Sequence, residues 1–91
     1  METRVAVIGI IVEDTESVEP LNALLHAYRD FIFGRTGIPH RERGINVISI
    51  FMDAPQDVIS ALSGKIGRLS GVSAKTAYSK LPGDAQVAGA D

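Results

Sequence analysis

The sequence contains no cysteine, so disulfides, thiolate metal ligands, cysteine-held iron–sulfur clusters and cysteine nucleophiles are all excluded. It also lacks a surplus of positive charge, because 9 Lys and Arg residues stand against 11 Asp and Glu residues and give a net charge of −2. Proteins that bind nucleic acid directly are usually basic. We therefore expect no direct nucleic-acid partner.

Long hydrophobic runs are missing as well. The longest apolar run covers residues 5–12, whereas a helix that crosses a bilayer needs roughly 20 residues. Glu2 and the lack of a cleavage site argue against a secretory signal. These observations predict a cytoplasmic protein with no membrane partner.

The 91 residues are 45% hydrophobic and 22% charged, which is typical of one soluble globular domain. We assign residues 1–80 to this domain. Residues 81–91 consist mostly of Pro, Gly, Ala and acidic residues with little to bury, and we expect them to form a mobile tail.

Two segments, residues 5–12 and 45–52, are rich in β-branched residues and apolar at both alternating sets of positions. A strand with one solvated face alternates apolar with polar residues, so these two strands are expected to be central and covered on both sides. Residues 30–38 and 72–79 are predicted to form two further strands. Residues 30–38 would form a hairpin with residues 45–52, and residues 72–79 would lie at an edge of the sheet.

Apolar residues at helical spacing predict two helices. The first spans about residues 17–29, with Asp14 or Ser17 as its cap. The second is expected to begin at Asp53, which would cap it together with Gln56, and to end at Gly71. Gly64 and Gly67 lie inside it, which we interpret as close approach to a neighbouring element.

The resulting order is strand, helix, strand, strand, helix, strand. Right-handed crossovers convert this order into an α+β, ferredoxin-like βαββαβ sandwich, a four-stranded antiparallel sheet with two helices on one face. The other face would then carry exposed Ile and Val side chains, and burial of four of them is worth roughly 6–12 kcal/mol. Because monomers rarely expose such a patch, we predict a homo-oligomer, most simply a dimer.

The sequence offers little material for catalysis or metal binding. A dyad of His40 and Glu42 is conceivable, but a histidine in a loop is more often a plain surface group, and we predict no enzyme. A transition-metal site needs three or four convergent ligands, and one chain offers only His26 and His40. We predict no metal and no cofactor, and leave open whether either histidine joins a site between subunits.

Basic residues cluster around the expected hairpin. Guanidinium groups bind carboxylates and phosphates through paired hydrogen bonds, so this segment is the best candidate for a site that binds a small anionic effector or a partner protein. The proposed binding residues are Arg35, His40, Arg41 and Arg43. A solvated hairpin tip with internal pairing between Glu42 and arginine is an equally valid interpretation. The acidic residues between 13 and 19 are explained by capping of a helix start.

Four segments of the sequence match a known pattern: 11–14 (IVED), 34–44 (GRTGIPHRERG), 62–67 (LSGKIG) and 71–72 (GV). In these segments the chain resembles the iron-only hydrogenase system regulator family over about residues 4–80. The resemblance implies an ACT-like fold, similar to the regulatory domain of the nickel-responsive repressor. It also implies a cytoplasmic, non-enzymatic role in the hydrogenase system, with hydrogenase maturation proteins as possible partners.

Two functional hypotheses follow. The first is a homo-oligomeric regulatory module that binds a small effector or a partner protein. The second is a structural adaptor in hydrogenase maturation that docks another protein through the hairpin and has no small-molecule ligand. Stabilisation by a ligand that is lost on replacement of Arg35 or Arg41 distinguishes the first from the second.

Overall fold

The computed structural model of the protein describes residues 2–80. Its four strands are β1 (Arg4–Val12), β2 (Ile32–His40), β3 (Ile45–Ala54) and β4 (Val72–Tyr78). Its two helices are α1 (Val18–Ala27) and α2 (Gln56–Gly67), and three short 3-10 turns cover Thr15–Ser17, Arg29–Phe31 and Arg41–Arg43. The predicted tail at residues 81–91 lies outside the described part of the chain.

The four strands form one sheet in the order β2-β3-β1-β4, and every neighbouring pair is antiparallel. The predicted ferredoxin-like α+β fold is therefore confirmed. The two segments that are apolar at both alternating positions form the central strands β1 and β3, and β2 and β4 lie at the two edges of the sheet.

Both helices cover the same face of the sheet. The alternate residues Ala6, Ile8, Ile10 and Val12 of β1 are buried there. Strand β3 and the two helices contribute the other buried residues of the cluster: Leu21, Leu25, Ile50, Met52, Ala54, Ile59, Leu62 and Ile66. Neither helix within residues 2–80 is long and apolar enough to cross a membrane.

The start of α2 differs from the sequence-based expectation. Asp53 does not cap the helix, because β3 continues through Ala54 and pairs Asp53 with Val5 of β1. The N-cap position belongs to Pro55, and no side chain caps the helix there. The predicted capping box was wrong because the backbone hydrogen bonds of the β1–β3 ladder extend two residues further than the apolar pattern indicated.

The glycines of α2 also differ from the prediction. A Cβ atom added at Gly67 would meet no atom within 4 Å, and one at Gly64 would meet only the Arg68 side chain, at 3.6 Å. Within residues 2–80, no neighbouring element approaches either glycine closely. The helix ends at Gly67 with Arg68 in the C-cap position, so Gly71 is not its cap. Gly71 instead lies in the loop before β4 with a φ of +65°.

The loop before β4 is joined to the acidic segment that follows β1. The Glu13 backbone N–H donates to the Gly71 carbonyl at 2.7 Å, and the Ser70 hydroxyl donates to Asp14 Oδ2 at 3.0 Å. The buried Ser17 hydroxyl donates to the Ser70 carbonyl, and its oxygen accepts no capping hydrogen bond from α1. Asp14 also accepts a bond from the Glu16 N–H, so it caps the 3-10 turn before α1.

Candidate functional site

The sheet face opposite the helices is apolar and open within the described residues. The large hydrophobic side chains on this face are between 36% and 66% exposed: Val5, Val7, Ile11, Phe33, Ile38 and Val47. Phe51 adds a half-buried ring whose centroid lies 6.3 Å from that of Phe33. These side chains form what we call the open face, and a monomer rarely leaves such a patch in water.

A shallow depression of about 300 Å³ interrupts the centre of the open face. It lies over Gly9, where β1 carries no side chain, and Ser49 and Lys75 are the residues paired with Gly9 on the two neighbouring strands. A Cβ atom at Gly9 would meet only the Lys75 carbonyl oxygen, at 3.9 Å. The middle of the face is therefore lower than its apolar ends.

A β-bulge in β2 decides which way Arg35 points. Ile32 pairs with Met52, but Gly34, two residues later, already pairs with Phe51, so β2 holds one extra residue at Phe33. The extra residue reverses the alternation of the strand. Arg35 consequently pairs with the buried Ile50 and lies on the helix side, where its Nη2 donates to Asn22 Oδ1 of α1 at 3.4 Å.

The structure separates the four binding residues that the sequence proposed. His40 pairs with Ile45, and with Arg43 it lines a depression of about 660 Å³ beside Ile11 and Glu13, at one end of the open face. Arg41 is exposed in the turn after β2. Arg35 lies on the other side of the sheet, five residues before His40, which is about 16 Å along an extended strand.

Arg35 belongs to a second group of polar residues. The side chains around it line a depression of about 300 Å³ between α1 and β2: Asn22, Leu25, His26, Arg29, Ile32 and Arg35. Arg29 lies just after α1 and its Nη1 donates to the His26 carbonyl at 2.9 Å. This contact places a cation against the negative end of the helix.

Sequence reasoning missed Asn22 and did not associate His26 with Arg35. A signal for both existed, because residues 22, 25, 26 and 29 are spaced by three, four and seven and so lie on one stripe of a helix. The bulge that turns Arg35 toward this stripe has no comparable sequence pattern. Among residues 2–80, no group of three or more His, Asp and Glu residues could hold a metal ion.

The strand order, the two helices on one face and the apolar open face define a ferredoxin-like α+β protein. Residues 4–76 match the family model described as "TM1266-like: Iron-only hydrogenase system regulator, putative". The chain therefore belongs to the TM1266-like family.

A solved structure agrees with this assignment. The chain is 35% identical to the uncharacterized protein TM1266 from Thermotoga maritima, with a TM-score of 0.82 over 86% of this chain and 99% of that one. A comparison with curated proteins finds no match.

Proposed function

We propose that this protein is a non-enzymatic regulatory module of the iron-only hydrogenase system that acts in the cytoplasm as a homo-oligomer. The family description supports the regulatory role. The open face supports the oligomer, and it is the observation that carries the proposal. Its six large hydrophobic side chains, each 36% to 66% exposed, leave roughly 4–8 kcal/mol of hydrophobic stabilisation unused in each copy.

A second copy of the chain is the occupant that fits the open face best. Four strands about 4.8 Å apart and about 8 residues long present a face of roughly 500 Å², so two copies bury on the order of 1,000 Å², the lower bound for a specific interface. Lys75 and Asp53 both lie on this face, in positions paired with Gly9 and Val5. Their opposite charges cancel, so the face does not repel its own copy.

In this role the protein binds a small anionic effector or a partner protein through its arginine side chains, with hydrogenase maturation proteins as the partner class. The alternative is an adaptor without a small-molecule ligand. It is favoured by the exposed tip that follows β2, where Arg41, Glu42 and Arg43 are all exposed and Gly44 adopts a left-handed conformation. Such a tip presents charged side chains to another protein and encloses no ligand.

The oligomer is tested by light scattering of the purified wild-type chain and of Val7→Lys at micromolar concentration. The wild type is expected at a mass of at least two chains and Val7→Lys at the mass of one, because the lysine replaces an apolar side chain beside Phe51 with a charge that the interface would have to bury. Ala61→Lys adds the same charge to an exposed position of α2 and is expected to remain assembled. A folded wild-type monomer contradicts the proposal.

A further inference from the structure

The depression between α1 and β2 is lined by cationic side chains that no acidic side chain in the described part of the chain neutralises. Arg29 and Arg35 lie on its two sides, and His26 adds a third nitrogen-bearing side chain. Within residues 2–80 neither arginine forms an ion pair, and Asp30 pairs with neither of them although it follows Arg29 directly. The depression therefore carries positive charge on both walls.

The hydrogen bonds of the two arginines leave most of their donors available. Arg35 has a single, long bond of 3.4 Å to a neutral amide oxygen, and Arg29 has a single bond to a main-chain carbonyl among the described residues. Each guanidinium group offers several N–H donors in a planar fork that matches a carboxylate. Both arginines line the same depression, and the contacts to Asn22 and His26 occupy only one donor of each.

The floor of the depression is apolar. Leu25 is buried and Ile32 is half-buried beneath the polar rim. The volume of about 300 Å³ lies at the lower end of the range for small-molecule sites. Such a cavity fits a compact ligand with one anionic end and a short apolar body, whereas inorganic phosphate would leave the floor uncovered.

We propose that this depression binds a small carboxylate with an apolar body. Its carboxylate oxygens accept hydrogen bonds from Arg35 and Arg29, and its body covers Leu25 and Ile32. The site rests on the proposed function, since it is the effector site of that regulatory module. It also depends on the bulge in β2, because without the extra residue Arg35 faces the opposite side of the sheet.

The test is an amide NMR titration of the full chain with sodium benzoate, using uncharged benzamide and inorganic phosphate as comparison probes. Concentrations up to about 10 mM saturate any site with a Kd of about 1 mM or below. Benzoate is expected to give saturable shifts confined to residues that line the depression, and benzamide and phosphate to bind at least about tenfold more weakly.

Variants locate the site. Arg35→Gln and Arg29→Gln remove one charge each and are expected to weaken benzoate binding by at least about tenfold, because a hydrogen bond to a charged group contributes enough for that factor. Arg41→Gln removes the same charge from the turn after β2 and is expected to leave the affinity within about twofold. All three positions are exposed, and the amide spectrum itself reports that each variant is folded.

Three results overturn the assignment: no saturable benzoate binding, binding that survives both Arg29→Gln and Arg35→Gln, or phosphate binding as tight as that of benzoate. The oligomer mass is measured on the same samples. An intact oligomer without benzoate binding refutes this site alone, while a monomer that still binds benzoate refutes the proposed assembly and leaves the site standing.

Discussion

Replacement of Gly71 by alanine tests how the loop before β4 is joined to the segment after β1. The new Cβ atom would lie 2.6 Å from Asp14 Cβ and 3.0 Å from the Asp14 main-chain nitrogen, distances at which one of the two segments must move. The φ of +65° adds about 1–2 kcal/mol for a residue with a side chain. Movement also weakens the Glu13–Gly71 and Ser70–Asp14 hydrogen bonds, each worth about 1 kcal/mol.

The cost of the positive φ and the loss from the two weakened hydrogen bonds together predict that Gly71→Ala lowers the free energy of unfolding by roughly 2–4 kcal/mol. Gly44→Ala is the matched control, because Gly44 has nearly the same φ of +67° but no atom within 4 Å of an added Cβ, so it is expected to lose only about 1–2 kcal/mol. Gly67→Ala, also without a contact within 4 Å, is expected to gain up to about 1 kcal/mol from higher helix propensity.

Urea unfolding followed by circular dichroism measures all three variants, at one fixed chain concentration because assembly contributes to the measured stability. Equal losses for Gly71→Ala and Gly44→Ala would show that the contact with Asp14 has no energetic consequence, and the reasoning would fail.

Two further predictions use the same assay. Ser17→Ala is expected to cost about 1 kcal/mol, because the buried hydroxyl donates to the Ser70 carbonyl. Thr15→Ala, at an exposed position of the 3-10 turn before α1, should stay within about 0.5 kcal/mol, and equal effects of the two changes would contradict the role of Ser17. Asp53→Ala is measured at a chain concentration low enough to leave the open face uncovered, because Asp53 lies on that face. It is expected to change stability by less than about 0.5 kcal/mol, since Asp53 belongs to β3 and caps nothing, and a loss of about 1 kcal/mol or more would restore its predicted role as the cap of α2.

The fold could be predicted because buried positions recur at regular intervals along strands and helices, so apolar residues follow the same intervals in the sequence. Residues 5–12 and 45–52 are apolar at odd and even positions alike, and this pattern distinguishes central strands from edge strands. Together with the helical stripes it determines the element order, and the handedness of crossovers then leaves one topology. The boundaries were less accurate, because the ladder between β1 and β3 extends to Ala54 through main-chain hydrogen bonds that any side chain permits.

The candidate site could be predicted only in part. The sequence proposed Arg35, His40, Arg41 and Arg43 as one cluster because they are close in the chain. In a strand, however, neighbours in sequence alternate between faces, and the bulge at Phe33 reverses that alternation at a position without any distinctive residue pattern. Arg35 therefore lies with Asn22, His26 and Arg29, and its own function stays a prediction, as do those of the other three residues.

The central claim, that a second copy covers the open face, is tested most directly by the rate of thiol modification. The chain has no cysteine, so Val47→Cys on the open face and Ala61→Cys on α2 each introduce a single reactive group. With a maleimide reagent, we predict that modification of Val47→Cys slows as the chain concentration is raised, while modification of Ala61→Cys keeps a constant rate. Equal, concentration-independent rates at the two positions would contradict the claim.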